Sequence, residues 1–343
     1  MTIGHRKVGY NEIPLIITEI GINHLGSLEK AMHLVELAAE AGAEIIKVQL
    51  HNASAEMSEH AKLVKPGNAD VSIYEVIASN SLSFKDEEKL RKYVSELGLL
   101  YSATPFSREA VNFLKDQDAD AIKIGSGEAD HQPLIDLVCQ LNRPIIMSTG
   151  MQSIRSIAAS VDVIRKCKVP FALLHCTNLY PMPPKLARLE GIRELMRFYP
   201  DAVVGYSDHS EGNLISYAAL GIGAAIIERH FVESMQDSGP DVSASVDPRK
   251  LKDLIVSSMI IGAARGGNKY RTAEEEVTYN FARSSVVSTR VINTGDYFSW
   301  DNTWATRPGT GEIPVDMISS VIGKRAQKDL PAYEQIKWTD ISD

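Results

Sequence analysis

Ala202-Val203-Val204-Gly205-Tyr206-Ser207-Asp208-His209 and Ala224-Ala225-Ile226-Ile227-Glu228-Arg229-His230 are two short apolar runs, each closed by a histidine. The stretch between them, 212–221, reads as a helix, so the order is strand, helix, strand. Such a βαβ unit is parallel, and parallel strands bring their C-terminal ends to one edge of the sheet. Two imidazoles side by side at that edge suit a single divalent metal ion, and the ligand sites of α/β folds lie there. Each histidine taken alone reads as a satisfied polar residue in a loop, because spacing by itself is weak evidence. The other strand ends decide.

Working outward, β-like runs recur at 15–20, 44–50, 99–103, 121–124, 144–148, 171–176, 202–206 and 224–228. Helical patterns fill most of the gaps: 28–41, with Ser27 placed as its N-cap, then 86–97, 108–114, 154–167 and 249–264. Near-continuous apolar strands imply burial on both faces and hence a parallel sheet. Eight βα repeats over about 250 residues predict a closed (β/α)₈ barrel. The alternative is a doubly wound sheet. That fold carries a Gly-rich phosphate turn after its first strand, and Gly21-Ile22-Asn23-His24-Leu25-Gly26 does not fit the pattern.

The chain has 343 residues, 44% of them apolar and 23% charged, with a formal net charge of −8. That composition is ordinary for a soluble globular protein, and without a basic patch nucleic acid is excluded as a partner. No apolar stretch reaches the ~18 residues of a membrane helix, and the N-terminus lacks the pattern of a secretion signal. Three cysteines without metal-ligand spacing (Cys139, Cys167 and Cys176) fit a reduced, cytoplasmic protein.

Two stretches depart from the βα rhythm. Residues 51–83 form a long connection after the second strand, the kind of loop that covers or lines a site. Beyond 265 the pattern changes. Residues 1–265 read as the barrel, 266–282 as a linker, and 283–343, with its short β-branched pieces and Gly-containing turns, as a small β-rich domain.

Polar residues end every strand. Glu19 closes the first, Lys47 and Gln49 the second, and Thr104 the third; Lys123, Ser126 and Glu128 follow the fourth. Ser148 closes the fifth, Asn178 and Tyr180 follow the sixth, Ser207 and His209 close the seventh, and His230 the eighth. Two lysines with hydroxyl and amide donors suit a phosphate. Glu19, Glu128, His209 and His230 suit a divalent cation or sugar hydroxyls. Singly, a lysine can snorkel from a strand end and a serine can cap a helix. All the mouths together are a site at the face where barrels keep their chemistry.

Several motifs carry a resemblance: Glu19-Ile20-Gly21-Ile22-Asn23-His24, Thr104-Pro105-Phe106-Ser107-Arg108, Lys123-Ile124-Gly125-Ser126-Gly127-Glu128, Ser148-Thr149-Gly150-Met151, His175-Cys176-Thr177-Asn178-Leu179-Tyr180-Pro181, Tyr206-Ser207-Asp208-His209, Glu228-Arg229-His230-Phe231 and Arg307-Pro308-Gly309. In order and spacing, from about residue 13 onward, the chain resembles the sialic acid synthase family. The resemblance implies a TIM barrel followed by an antifreeze-like (SAF) domain in a domain-swapped homodimer. It implies condensation of phosphoenolpyruvate with an N-acetylated hexosamine to a nine-carbon 2-keto acid and phosphate. Carried over by motif, Lys47, Thr104, Lys123, Ser126, Ser148, Asn178 and Ser207 would hold phosphoenolpyruvate. His209 and His230 would bind a divalent metal, typically Mn²⁺, with Mg²⁺ or Co²⁺ as alternatives. Gln49, Asn68, Glu128, Tyr180 and Asp241 would contact the sugar, and Phe281 and Arg307 would reach it from a partner chain. Glu19 is the candidate to stabilise the cation at carbon 2 or to position water.

Two departures bear on the sugar. Ala129-Asp130-His131 replaces the small or amide residues expected after Glu128, and Val48 and Leu50 are apolar where polar residues are common. Segment 66–75 resembles the bacterial branch that takes unphosphorylated N-acetylmannosamine; a 2,4-diacetamido-trideoxy sugar, giving legionaminic acid, is the alternative. Two other readings stand beside this one. A Schiff-base lyase would use Lys47 or Lys123 as its nucleophile, and a binding module would use only the SAF-like tail, for ice or carbohydrate.

Overall fold

The structure is a computed structural model that describes residues 1–67 and 70–343. The chain divides into two compact units, Met1–Gly266 and Gly267–Asp343.

In the first unit, eight strands run parallel: β1 Leu15–Gly21, β2 Ile45–Leu50, β3 Leu100–Pro105, β4 Ala121–Ile124, β5 Ile145–Ser148, β6 Phe171–Cys176, β7 Val203–Asp208 and β8 Ile226–Phe231. Each pairs with the next, and β8 pairs with both β7 and β1, which closes the barrel. A short β9, Ser245–Val246, adds to β8 beyond the barrel rim.

Alternation along each strand explains both layers of the core. Ile46, Val48 and Leu50 on β2, Tyr101 and Ala103 on β3, and Ile145 and Met147 on β5 face outward into one cluster with the helices. Residues of the opposite parity, including Leu15, Ile17, Ile45, Leu100, Ala121, Ile146, Ala172, Leu174 and Ile226, fill the barrel's lower interior. An N-terminal hairpin, Thr2–Ile3 with Arg6–Lys7, sets Ile3 and Val8 against that inner cluster. Further along the same inward rows the residues turn polar, and there the apolar plug ends.

The main helices are α1 Leu28–Glu40, α2 Ala53–Glu56, α3 Ile73–Asn80, α4 Phe84–Glu96, α5 Arg108–Lys115, α6 Gln132–Cys139, α7 Ala158–Cys167, α8 Glu190–Phe198, α9 Leu214–Gly221 and α10 Pro248–Ala264. Ser27 caps α1 as expected, its hydroxyl accepting from Lys30 N–H at 3.2 Å. The connection 51–83 is not structureless: α2 and α3 lie within it, and Ser72 and Glu75 form a capping box at the start of α3. No helix among the described residues is long and apolar enough to cross a membrane.

In the second unit a 3-10 turn, Ala273–Glu275, leads into α11, Glu276–Ala282, so the end of the stretch read as linker is helical. It then pairs β10 Ser285–Ser288 antiparallel with β11 Thr303–Thr306. Val286, Ile292, Phe298, Ile313, Val321, Ala326, Leu330 and Ile336 give this unit a core of its own.

Candidate active site

The upper ends of the inward rows line a cavity of about 240 Å³. Its walls include Glu19, Lys47, Gln49, Thr104, Lys123, Ser126, Glu128, Ser148, Asn178, Tyr180, Ser207, His209 and His230, residues from all eight strands or the loops that follow them. Asp241 stands at its edge, with Oδ2 3.7 Å from His230 Nδ1. Phe281 and Arg307 belong to the second unit, where both are exposed. Asn68 lies outside the described residues.

Strand parity puts charges face to face at the cavity floor. Lys47 Nζ lies 2.5 Å from Glu19 Oε1 and donates to Thr104 Oγ1 at 3.2 Å. Lys123 Nζ donates to the Ile124 carbonyl at 3.0 Å and lies 3.7 Å from Glu228 Oε1. Glu228, two residues before His230 and therefore on the same face of β8, is the wall residue that strand-end reasoning missed. Its Oε1 accepts from Ser207 Oγ at 2.9 Å, while Oε2 is buried with no hydrogen-bond partner.

These neighbours set protonation. Burial acts to raise the Glu19 carboxyl, but the Lys47 and His230 charges outweigh it and hold it at about 2. Burial lowers the Lys123 ammonium against the pull of Glu228. It also raises the carboxyls of Glu128 and Asp241, and pushes the Cys176 thiol up to about 12. Cys176 is therefore a neutral wall.

On the β5 side, Ser148 Oγ is buried without a partner. Gly150 N–H donates to Ser126 Oγ at 3.0 Å. A Cβ on Gly150 would stand 1.8 Å from Asn178 Oδ1 and 2.8 Å from Ser126 Oγ, so only glycine lets these groups close around the backbone. Hydroxyls, an amide and two lysines gather on this side of the cavity, a donor set that can serve as an anion cradle.

The histidines adjoin it, their ring centroids 5.5 Å apart. His209 Nδ1 is engaged by the Thr177 carbonyl at 3.2 Å, which leaves Nε2 as the free lone pair, and burial lowers this imidazole to about 3. His230 Nδ1 is buried and has no hydrogen-bond partner. An imidazole nitrogen that carries no proton is a metal donor, so these residues fit a divalent cation. Among the described residues no group of three or more His, Cys, Asp or Glu side chains forms a metal cage. The fit is therefore to an open site with room for substrate oxygen and water. Tyr180 stacks on His209 at 4.2 Å, covering it. Behind the wall, buried Arg229 pairs with Asp208 at 3.1 Å and donates to the Asp208 and Ser210 carbonyls, which fixes the turn that carries His209.

The departures noted in the sequence prove to be elsewhere. Val48 and Leu50 have the parity opposite to Lys47 and Gln49 and pack outward, and Ala129 joins the same outer cluster. Asp130 is exposed, and His131 caps α6 by accepting from Leu134 N–H. None is among the residues that line the cavity.

Comparison with known proteins agrees with this architecture. A family model described as the NeuB family matches residues 34–270, and one described as the SAF domain matches 283–342. The N,N'-diacetyllegionaminic acid synthase of Campylobacter jejuni is 34% identical over 94% of this chain and 98% of its own length. The human N-acetylneuraminate-9-phosphate synthase is 29% identical over 93% and 90%. The structure of the N-acetylneuraminic acid synthetase of Leptospira borgpetersenii superimposes with a TM-score of 0.75 at 31% identity, over 82% of this chain and 95% of that one. The chain belongs to the NeuB family, a TIM barrel followed by a SAF domain, and is an enzyme of the sugar acid synthase class.

Proposed function

We propose that this enzyme condenses phosphoenolpyruvate with N-acetylmannosamine and water, giving N-acetylneuraminate and phosphate. The observation that carries the proposal is the anion cradle placed directly beside the histidine pair on one cavity. Phosphoenolpyruvate is a small polyanion, and Lys47, Lys123, Thr104, Ser126, Ser148, Asn178 and Ser207 offer charge and oriented donors for it. Gln49, Glu128 and Tyr180 line the side left for the sugar and Asp241 stands at its edge, with Phe281 and Arg307 supplied by a second copy of the chain in a domain-swapped dimer.

In the reaction, carbon 3 of phosphoenolpyruvate forms a bond to the aldehyde carbon of the open-chain sugar, and the aldehyde oxygen takes up a proton. Carbon 2 is left electron-poor. Water adds there and loses a proton; the new hydroxyl then gives up its own proton and becomes the 2-keto oxygen as the bond from carbon 2 to the phosphate oxygen breaks, its electron pair leaving with phosphate. Ionised Glu19, adjacent to Lys47 and Gln49, provides the negative charge that steadies carbon 2 or the acceptor that orients the water. A divalent cation on His209 and His230, Mn²⁺ before Mg²⁺ or Co²⁺, would polarise the aldehyde as a Lewis acid.

The alternative sugar is 2,4-diacetamido-2,4,6-trideoxymannose, favoured by the 34% identity to the Campylobacter legionaminic acid synthase. A phosphate-release assay over a panel of N-acetylated hexosamines, with and without chelator, tests both. Release should require phosphoenolpyruvate, one such sugar and the metal together. No release with any of these sugars in the presence of Mn²⁺ overturns the proposal.

A further inference from the structure

Behind the sugar side of the cavity runs a largely buried chain of four polar side chains, of which only the first two line the cavity. Gln49 Nε2 donates to Glu19 Oε1 at 2.8 Å. Gln49 Oε1 lies 3.0 Å from His51 Nε2, and His51 Nδ1 lies 2.9 Å from Glu56 Oε1. The His51 and Glu56 side chains are only 6% and 5% exposed.

The fold builds this chain deliberately close. His51 is the first residue past β2, and the single turn of α2 brings Glu56 back over it, with Glu56 Oε2 accepting from Asn52 N–H at 3.2 Å. The His51 ring lies flat on Phe106, 4.2 Å between centroids and 8° between planes, and Phe106 lines the cavity.

Donor and acceptor identities then fix the polarity. Glu19 Oε1 accepts from Gln49 Nε2 at 2.8 Å and faces Lys47 Nζ at 2.5 Å, so the Gln49 amide turns its nitrogen toward it. The Gln49 oxygen needs a donor, and His51 Nε2–H is the donor beside it. Nδ1 in turn faces the Glu56 carboxyl at 2.9 Å. A glutamine amide left alone turns over readily; flipped, it would set its oxygen against the Glu19 carboxylate.

We propose that His51 and Glu56 are positioning residues that lock the Gln49 amide with its N–H groups toward Glu19 and toward a sugar hydroxyl. This inference rests on the synthase reading of the same cavity. The site thus holds a carboxylate–imidazole pair whose product is the orientation of an amide, not a proton transfer.

Steady-state kinetics of the full-length enzyme test it. His51→Phe keeps the stack on Phe106 and removes both nitrogens. It should raise the sugar KM about tenfold, as loss of one well-aligned buried hydrogen bond does, with the phosphoenolpyruvate KM within about twofold. His51→Gln, which restores a donor, should recover part of the loss, and Glu56→Gln should give a smaller rise. Added to Gln49→Ala, His51→Phe should have no further effect. A His51→Phe enzyme with wild-type sugar KM and kcat overturns the proposal. So does a phosphoenolpyruvate KM that rises in step with the sugar's, which is the signature of general damage.

A second measurement needs neither turnover nor that variant. In ¹⁵N-histidine NMR of the wild-type protein, the His51 Nε2 should carry a slowly exchanging proton whose signal moves in Glu56→Gln and in Gln49→Leu. An unprotonated Nε2 overturns the proposal. Failure of the synthase reading would look different: no phosphate release by the wild-type enzyme, with the Nε2 proton still in place.

Discussion

Ser207 Oγ donates to Glu228 Oε1 at 2.9 Å across the β7–β8 pair, and this bond sets the carboxylate between the lysines, Oε1 3.7 Å from Lys123 Nζ and Oε2 3.9 Å from Lys47 Nζ. Formally, two carboxylates face two ammonium groups at the cavity floor before any anion arrives. Glu228→Gln removes one negative charge and keeps the shape. Ground-state attraction for phosphoenolpyruvate should therefore hold or strengthen, while charge balance at carbon 2 is lost. The expected result is a kcat lower by about 100-fold, ~3 kcal/mol of barrier, with no rise in the phosphoenolpyruvate KM. An increase in that KM with kcat preserved would make Glu228 a binding residue instead.

Glu228 also shows where the sequence was legible and where it was not. The strands are legible because each carries a near-continuous apolar run, and their ends because polarity returns there. Glu228 sits inside a run, yet its distance of two from His230 was a usable signal, since residues i and i+2 of a strand share a face. The same rule would have turned Val48 and Leu50 outward from the start. The elements α2 and α3 were hidden because four and eight residues are too few for a helical period to stand out. Only the Ser72 and Glu75 spacing of a capping box announced α3. Asp241 has no strand to place it; it reaches His230 from the turn before β9. Nothing but resemblance could have nominated it.

Gly150→Ala tests the anion cradle. Its new Cβ would stand 1.8 Å from Asn178 Oδ1, so the amide and the Ser126 hydroxyl must move apart. Both face the cavity, where displacement is tolerated by the fold. The phosphoenolpyruvate KM should rise about tenfold or more, with the melting temperature within a few degrees of wild type. An unchanged KM would remove these groups from phosphoenolpyruvate binding.

The lysines separate synthase from lyase. Lys47 is tied to Glu19 at 2.5 Å, while Lys123 is the one whose ammonium burial destabilises and which a Schiff base would use. Borohydride reduction with pyruvate should nonetheless leave the intact mass of the wild-type protein unchanged. An adduct mapped to Lys123 would reassign the chemistry to aldol cleavage.

Glu87 predicts a stability effect remote from catalysis. It is buried on α4, where burial first, and then the Asp86 charge, push its carboxyl up to about 8 from an ordinary 4.5. Between those values the folded state keeps a proton that the unfolded chain has lost, so stability falls as pH rises through this window. Glu87→Gln removes that dependence. At pH 8 it should stabilise the protein by roughly 2 kcal/mol, a rise of a few degrees in Tm, with little difference at pH 4. Equal Tm changes at both pH values would mean that the gain comes from packing.

Arg307 is exposed in the second unit, and in the proposed dimer it completes the cavity of the other chain. Arg307→Ala should retain folding and raise the sugar KM about 10- to 100-fold, as loss of a charge-assisted bond does. Co-expression decides whose cavity it serves. A His209→Ala chain lacks a working barrel but carries an intact tail; an Arg307→Ala chain carries the reverse. In a swapped dimer of the two, one cavity combines the intact barrel with the intact tail, so mixed dimers should regain close to half of wild-type turnover at low sugar. In an unswapped arrangement every cavity keeps one defect, and mixing restores nothing beyond the average of the two variants.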